Sequence, residues 1–205
     1  QLLYERYFKN RIIADGVAVE CGAADGRLES TCYFFEESLG WLVYNVEASP
    51  VFHRQLNNNR PHAVNCFHGL GPETQTKTFH HVVHPEYGHQ FGNGSFEHTD
   101  PHKRELDGLG CSYESFPVEV KKISDFFVEH QITAVDLFVL DVEGFELEVL
   151  SDLKNVPVMP KVFCVEAQPS LRVDINRIME QSGYYFDISM HNNMVFVHKS
   201  VSFAA

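Results

Sequence analysis

The sequence has no long apolar run and no excess of positive charge. None of its apolar stretches approaches the roughly 20 residues that a membrane-spanning helix needs, and no basic start precedes an apolar signal stretch. Lys and Arg number 16 against 28 Asp and Glu, so the formal net charge is −12. Because such a surface repels polyphosphate and no run of Lys and Arg is clustered, nucleic acid and anionic membranes are not expected as main partners.

Paired cysteines and internal repeats are also missing. The five cysteines show no C-x-x-C spacing, and three of them lie in apolar, strand-like runs. This pattern predicts reduced, buried thiols and a cytoplasmic location. The 205 residues, of which 44% are hydrophobic and 21% charged, suit one globular domain with a sizeable core. We therefore expect residues 1–205 to form one domain.

Short apolar runs alternate with helical patterns along most of the chain. The first 14 residues contain an amphipathic lead-in helix at 3–13. Strands are predicted at 17–21, 41–46, 63–67, 137–140 and 161–166, and helices at 28–39, 49–57, 123–129 and 171–181, with a further helix that residues 141–144 lead into and that runs through residue 153. The last two apolar runs resemble an antiparallel pair. This order predicts a doubly wound α/β sheet that is mostly parallel and ends in an antiparallel hairpin.

Residues 68–117 interrupt this alternation. The segment is polar and rich in Gly, Pro and His, and only residues 78–83 have a strand-like pattern. A stretch of this length inside a compact domain is usually functional or mobile. We expect it to be an insertion beside the binding site that recognises the substrate.

The first chemical motif is V-A-V-E-C-G-A-A-D-G at residues 17–26. An apolar strand ends in Glu20 and enters a turn of small residues in which Gly22 and Gly26 let the backbone approach a ligand. Glu47 ends the next apolar run and can accept hydrogen bonds from both hydroxyls of a ribose diol. Two such carboxylates suit a ligand with a ribose and a positive charge, of which S-adenosylmethionine is one.

The residues expected to bind this ligand lie at the ends of the predicted strands. Phe67 and His68 are placed to flank an adenine ring, and Ala48 and Ser49 begin the next helix beside it. The complete set is Glu20, Cys21, Gly22, Ala23, Gly26, Glu47, Ala48, Ser49, Phe67, His68 and Asp141. A dinucleotide fits less well, because the G-x-G-x-x-G spacing is absent and Asp25 in the turn would repel a pyrophosphate.

The second motif is V-D-L-F-V-L-D-V-E-G-F-E-L-E-V-L at residues 135–150. Asp141 falls at the end of a buried strand, where reacting groups gather in such sheets. We expect a site role for Asp141 and Glu143. Glu146 and Glu148 are interpreted instead as acidic residues that favour the first turn of the following helix.

These motifs resemble those of the FkbM-type S-adenosylmethionine-dependent methyltransferases. The resemblance rests on V-E-C-G-A-A-D-G, on V-E-A-S-P-x-x-x-x-x-L-x-x-N at 46–59 and on L-D-V-E-G-F-E-L-E-V-L at 140–150, and it extends over residues 15–198 with a poor match at 84–117. It implies a class I methyltransferase (Rossmann-like) fold and methyl transfer to a hydroxyl of a carbohydrate or related small metabolite. Glu20 stands where aspartate is commoner in the family.

Transfer to a hydroxyl also needs a group that takes the proton. Asp141, Glu143 and His191 are the residues we expect to be catalytic, with Glu166 a further candidate. Seven histidines between residues 68 and 102 also qualify, since histidine titrates near neutral pH. They are His68, His80, His81, His84, His89, His98 and His102.

The same histidines suggest an alternative function. His80 or His81 with His84 and His89 could bind a divalent metal ion, in which case the chain would be a metal-binding protein on an inactive methyltransferase-like scaffold. A solvated, His-rich loop is the favoured interpretation, so no metal ligand is assigned. The sequence leaves the acceptor open.

Overall fold

The computed structural model describes residues 2–9 and 15–201. Its main sheet has seven strands in the order β3-β2-β1-β7-β8-β10-β9. In chain order these strands are β1 (Val17–Cys21), β2 (Leu42–Glu47), β3 (Val64–Phe67), β7 (Leu137–Leu140), β8 (Val162–Glu166), β9 (Tyr184–Met190) and β10 (Asn193–His198). β10 is antiparallel to both of its neighbours, and the other pairs are parallel. The predicted sheet with its antiparallel C-terminal pair is confirmed.

Six α-helices are described between and beside these strands. They are α1 (Tyr33–Leu39), α2 (Pro50–Asn59), α3 (Asp100–Gly108), α4 (Ile123–Glu129), α5 (Glu146–Leu150) and α6 (Arg172–Gln181). Ser49 begins α2 because its side chain accepts hydrogen bonds from the amides of Val51 and Phe52, and Pro50 at the first position is pre-set for the helix. No described helix has the length and apolarity to cross a membrane.

Both faces of the main sheet are buried, as expected for parallel strands. Successive residues of a strand point to opposite faces. Ala18 and Val43 accordingly pack into one apolar cluster, whereas their neighbours Val19 and Tyr44 pack into the other. This two-sided burial explains why the strands are nearly continuous apolar runs in the sequence.

The segment 68–117 holds more regular structure than its sequence predicted. β4 (Gly69–Leu70), β5 (Gln75–Val83) and β6 (Ser112–Lys121) form a second sheet in the order β4-β6-β5, and α3 lies between β5 and β6. The expectation that only 78–83 is regular was therefore wrong. β6 escaped detection because Pro117 interrupts it and only Val118 and Val120 are buried.

Three predicted helices differ from the observed ones. Residues 28–32 form turns before α1 begins at Tyr33, and residues 141–145 form a turn before α5, after which a short 3-10 helix, Leu153–Asn155, follows. Tyr4–Phe8 is a π-helical turn, and residues 10–13 of the predicted lead-in helix lie outside the described residues. The turns before α1 and α5 form for the same reason. In each case a carboxylate binds backbone amides of the preceding turn: Glu20 binds those of Thr31 and Cys32, and Glu146 binds those of Val142 and Gly144.

Candidate active site

A cavity of about 460 Å³ opens at the carboxyl ends of β1, β2 and β7. β1 lies between β2 and β7, so the cavity lies where the order of the sheet reverses, which is the usual ligand position in open α/β sheets. Tyr87 and residues 90–96, from the segment between β5 and α3, cover it. The predicted residues that line it are Glu20, Cys21, Gly22, Ala23, Glu47, Ala48, His68, Asp141 and Glu143.

The glycine turn brings the ends of β1 and β7 into close contact. Gly22 has a φ of +86°, and a Cβ built on it would lie 1.6 Å from the carbonyl oxygen of Asp141. The amide of Asp141 donates to the carbonyl of Cys21 at 2.9 Å, and that of Gly22 donates to Val46 at 3.0 Å. Any side chain at position 22 would therefore separate the two strands that form the floor of the cavity.

Glu20 is bound by the backbone that precedes α1. Its carboxylate accepts hydrogen bonds from the amides of Thr31 at 2.7 Å and Cys32 at 3.1 Å, and from the Ser30 hydroxyl at 2.6 Å. The residue is 3% exposed, and burial raises its pKa even though these donors and the guanidinium of Arg60 oppose the shift. Glu20 thus fixes the loop 28–32, which forms another wall of the cavity.

Glu47 is buried at the end of β2 and points both oxygens at backbone amides. One oxygen accepts from Ala24 at 2.8 Å and the other from Ser49 at 2.6 Å. Burial raises the pKa of Glu47 to about 7. The Ala48 amide also favours the charged form, and a carboxylate with about four lone-pair positions keeps acceptor capacity beyond these amides.

Sequence reasoning missed Arg60, a fully buried cation that supports the glycine turn. Its guanidinium donates to the carbonyl of Gly26 at 2.8 Å and to the Glu36 carboxylate at 2.6 Å. Gly26 lies against this side chain: a Cβ there would come within 2.7 Å of the Arg60 Cγ and 2.4 Å of Leu56. Gly26 therefore packs against α2, on the side of the turn away from the cavity, and does not line the cavity.

Three carboxylates meet at the ends of β7 and β8. Asp141, Glu143 and Glu166 each place an oxygen within 4.8 Å of the other two. Burial, and then the neighbouring negative charges, raise the pKa of Asp141 and of Glu143 well above the usual range. His102 Nδ1 lies 3.7 Å from the Glu143 carboxylate.

The backbone around these carboxylates is held in an uncommon conformation. Glu143 has a φ of +55°, which is rare for a residue with a side chain. The Glu146 carboxylate stabilises this turn by accepting hydrogen bonds from the amides of Val142 at 3.2 Å and Gly144 at 3.1 Å. Glu146 is therefore more than a favourable helix-terminal charge, since it shapes the loop that presents Asp141 and Glu143.

Three other predicted site residues lie away from the cavity. Ser49 is buried at the start of α2, where its hydroxyl contacts His81 Nδ1 at 3.0 Å. Phe67 is 44% exposed and its ring packs 5.0 Å from the ring of His53. His191 is exposed in the turn between β9 and β10, and β8 and β10 separate β9 from β7.

The histidines of the segment 68–117 are dispersed over different contacts. His81 stacks on His89 at 5.5 Å, and His80 Nδ1 contacts the Ser115 hydroxyl at 3.0 Å. His84 accepts from the amides of Glu86 and Tyr87. Across residues 2–9 and 15–201, the side-chain groups whose geometry suits a metal ion include none of His80, His81, His84 and His89.

Asn93 and Gln168 position His102 near the carboxylates, and the backbone of Asn93 also binds His98. His102 Nε2 contacts the Asn93 side-chain oxygen at 3.0 Å, and His102 Nδ1 contacts the Gln168 amide nitrogen at 3.1 Å. His98 Nε2 donates to the Asn93 carbonyl at 2.7 Å. The role of Asn93 was not predicted, because an isolated asparagine in a Gly-rich segment gives no periodic signal.

Comparison with known proteins agrees with this geometry. The methyltransferase FkbM domain model matches residues 20–186, whereas no curated protein matches the chain. Methyltransferase FkbM from Methylobacillus flagellatus KT is similar in structure, with a TM-score of 0.59 and 15% identity over 95% of this chain and 48% of that one. The fibrillarin pre-rRNA processing protein of Methanococcus jannaschii has a TM-score of 0.49 and 13% identity over 92% and 68% of the two chains.

This chain spans about half the length of the M. flagellatus protein. At such low identity the structural likeness shows the fold, and the class I methyltransferase fold that the sequence predicted is confirmed. The family model covers most of the residues from β1 to β9. The chain therefore belongs to the FkbM methyltransferase domain family.

Proposed function

We propose that this chain is an S-adenosylmethionine-dependent methyltransferase that methylates a hydroxyl of a carbohydrate or related small metabolite. The observation that carries the proposal is the composition of the cavity wall at the sheet reversal. Five acidic and no Lys or Arg residues line it in the described part of the chain: Glu20, Glu29, Glu47, Asp141 and Glu143. Such a wall favours a ligand with positive charge, as a sulfonium and an ammonium group provide, and disfavours phosphates.

Glu47 suits the ribose of an adenosyl ligand. Its oxygens accept from the amides of Ala24 and Ser49 and keep acceptor capacity for further donors. Two adjacent acceptors match two adjacent hydroxyl donors. The turn at Gly22, which has no side chain, allows the ligand to approach the backbone at the same end of the cavity.

Asp141 and Glu143 suit the removal of a hydroxyl proton. When bound, S-adenosylmethionine supplies a methyl group on a positively charged sulfur. The raised pKa of Asp141 and of Glu143 makes each carboxylate, when ionised, a stronger base than an ordinary one. A hydroxyl held against either carboxylate would give up its proton to that oxygen while the O–C bond to the methyl group forms, the C–S bond breaks and S-adenosylhomocysteine leaves.

The cover of the cavity suits a neutral polar acceptor. Tyr87, Gln90 and Asn93 line it, and amide side chains both donate and accept hydrogen bonds, as hydroxyl groups require. Tyr87 is 57% exposed and its ring stacks on His84 at 4.8 Å. An aromatic face beside amides is typical of sites that hold sugar rings.

Calorimetric titration tests the cofactor. S-adenosylmethionine and S-adenosylhomocysteine should each bind with micromolar affinity, and Glu47→Ala should remove most of the binding heat because it deletes both ribose acceptors. Phe67→Ala is the matched control, since Phe67 lies outside the cavity and its loss should leave affinity unchanged. If neither ligand produces heat with the wild type, the proposal is wrong.

A screen with methyl-labelled cofactor tests the acceptor. Sugars, glycans and small hydroxyl metabolites are incubated separately with the protein, and the position of the label is then located in each product. Label on a hydroxyl oxygen supports the proposal. Label on nitrogen or carbon, with none on oxygen, contradicts the reaction type while leaving methyl transfer intact.

A further inference from the structure

Three soft and borderline metal ligands meet beside the cavity at the edge of the main sheet. Cys66 lies in β3, His68 follows the same strand, and His130 is the C-cap of α4. Their ligand atoms all lie within 4.8 Å of one another. Cys66 and His68 are two residues apart in the chain, and both are buried whereas Phe67 between them is exposed.

The orientation of His68 leaves one nitrogen free to act as a ligand. His68 Nδ1 lies 3.0 Å from the carbonyl oxygen of Gly69. Because a carbonyl can only accept, Nδ1 carries the proton and Nε2 presents its lone pair. His68 is 4% exposed, and its Nε2 is buried without a hydrogen-bond partner. Leaving such an atom unpaired is unfavourable in a protein interior.

The same arrangement is typical of zinc-binding histidines. A metal-ligating imidazole usually donates its second N–H to a carbonyl or carboxylate, which fixes the ring and its tautomer. Gly69 supplies that carbonyl here. The backbone thus holds His68 in the tautomer and the orientation that a metal ion requires.

The spacing of the other two ligands also suits a tetrahedral ion. Cys66 Sγ and His130 Nε2 are 3.5 Å apart. Zn–S and Zn–N bonds at a tetrahedral angle place sulfur and nitrogen about 3.5 Å apart as well. Phe126 packs against both imidazoles, with ring centroids 5.5 Å from His68 and 4.9 Å from His130, and so limits water access from that side.

We propose that Cys66, His68 and His130 bind a zinc ion or a similar transition-metal ion with an open fourth position. Thiolate and imidazole are the ligands that zinc prefers, and three protein ligands leave one position for water. On binding, the Cys66 S–H bond breaks, its proton passes to solvent and an S–metal bond forms. The ion would join the end of β3 to the end of α4 and fix His68, which lines the cavity.

Cobalt(II) is the probe for this site, since it occupies zinc sites and reports thiolate ligation through an ultraviolet charge-transfer band. The reduced protein, in thiol-free buffer, should bind one Co²⁺ with that band, and Zn²⁺ should displace it. Cys66→Ser should remove the band. His130→Gln should keep a weakened band and lower the affinity by more than the about 10–100-fold that loss of an outer-shell partner costs.

Two control variants separate this site from chance binding. Cys111→Ser alters a half-buried cysteine elsewhere, and His62→Gln alters an exposed histidine; both should bind Co²⁺ as the wild type does. Circular dichroism confirms that Cys66→Ser and His130→Gln are folded, and Zn²⁺ should raise the melting temperature of the wild type but not of Cys66→Ser. The proposal is overturned if the wild type shows no thiolate band, or if Cys66→Ser keeps it.

Discussion

Two groups of carboxylates in and beside the cavity differ in how the protein surrounds them. Glu20, Glu47 and Glu146, the amide-bound carboxylates, each accept hydrogen bonds from two backbone amides. The clustered carboxylates, Asp141, Glu143 and Glu166, receive none from a backbone amide in the described part of the chain and face one another instead. The first group stabilises the loops that form the site. The second group is costly to the fold, which is expected of residues that act on a substrate.

Replacing a clustered carboxylate should separate activity from stability. Asp141→Asn removes the acceptor for the substrate proton, so the rate of methyl transfer should fall by about 10²–10⁴-fold. At pH 8 the same change should raise the free energy of unfolding, because burial and the neighbouring Glu143 and Glu166 disfavour the ionised form of Asp141 that the unfolded chain holds at that pH. Turnover of the acceptor found by screening and urea unfolding at pH 8 measure the two effects.

If Asp141→Asn is as active as the wild type and less stable, Asp141 stabilises the fold and does not accept the substrate proton. Glu143→Gln provides the matched comparison, because it removes another charge from the same cluster. Glu143→Gln should bind S-adenosylhomocysteine as the wild type does, and Asp141→Asn should bind it more weakly, since Asp141 is also an expected cofactor ligand. Loss of cofactor binding in both, with no change in stability, would place these carboxylates among the cofactor ligands instead.

Replacing an amide-bound carboxylate should have the opposite effect on stability. Glu20→Ala deletes the acceptor for Thr31, Cys32 and Ser30 and removes a negative charge 4.0 Å from the buried Arg60 guanidinium. Arg60 keeps the Glu36 carboxylate as a partner, so the expected loss comes mainly from the donors left without an acceptor, at about 1–3 kcal/mol for each buried one. Urea unfolding measures this loss.

Glu20→Gln is the control, because it keeps an acceptor oxygen for the Thr31 and Cys32 amides. It should lose less stability than Glu20→Ala. Equal losses in the two variants would show that charge, and not the hydrogen bonds to the loop 28–32, is what Glu20 contributes.

The carboxylates at the strand ends could be predicted from the sequence. β1, β2 and β7 are buried on both faces, so they appear as continuous apolar runs whose ends identify Glu20, Glu47 and Asp141. The glycine turn could be predicted for a similar reason, since Gly22 occupies a position where a Cβ would overlap the backbone of Asp141.

The contacts between distant segments could not be predicted in this way. Arg60 and Gly26 meet only after α2 packs against the turn, and His130 joins Cys66 and His68 only because α4 ends at the edge of β3. Periodicity reports which face of an element is buried and carries no information on which distant residue covers it. The hydrogen bonds from backbone amides to the Glu146 carboxylate depend on a positive φ at Glu143. A glutamate in the sequence does not predict a positive φ.

The pH dependence of stability shows whether the buried Glu146 carboxylate is unfavourable when it is charged. Burial raises its pKa from 4.5 to about 7, so the folded state disfavours the charged form. The stability that Glu146 contributes is therefore full below about pH 4.5 and is lost as the pH rises through about 7, with a total change of about 3 kcal/mol. Glu146→Gln has no such titration, and the difference in unfolding free energy between the two proteins at pH 5 and pH 8 measures the loss. A difference that is constant with pH would contradict the burial of a charge at Glu146.

The smallest effect is expected at Glu148, one turn into the same acidic motif. It lies in the first turn of α5, partly exposed, where a negative charge gains a little from the helix dipole. Glu148→Gln should therefore change the free energy of unfolding by less than about 0.5 kcal/mol and leave methyl transfer unchanged. Glu146 and Glu148 are two residues apart in one helix. If stability depends on pH through Glu146 and not through Glu148, the cause is the turn that Glu146 binds. A large loss of stability in Glu148→Gln would instead point to the negative charge of the whole motif.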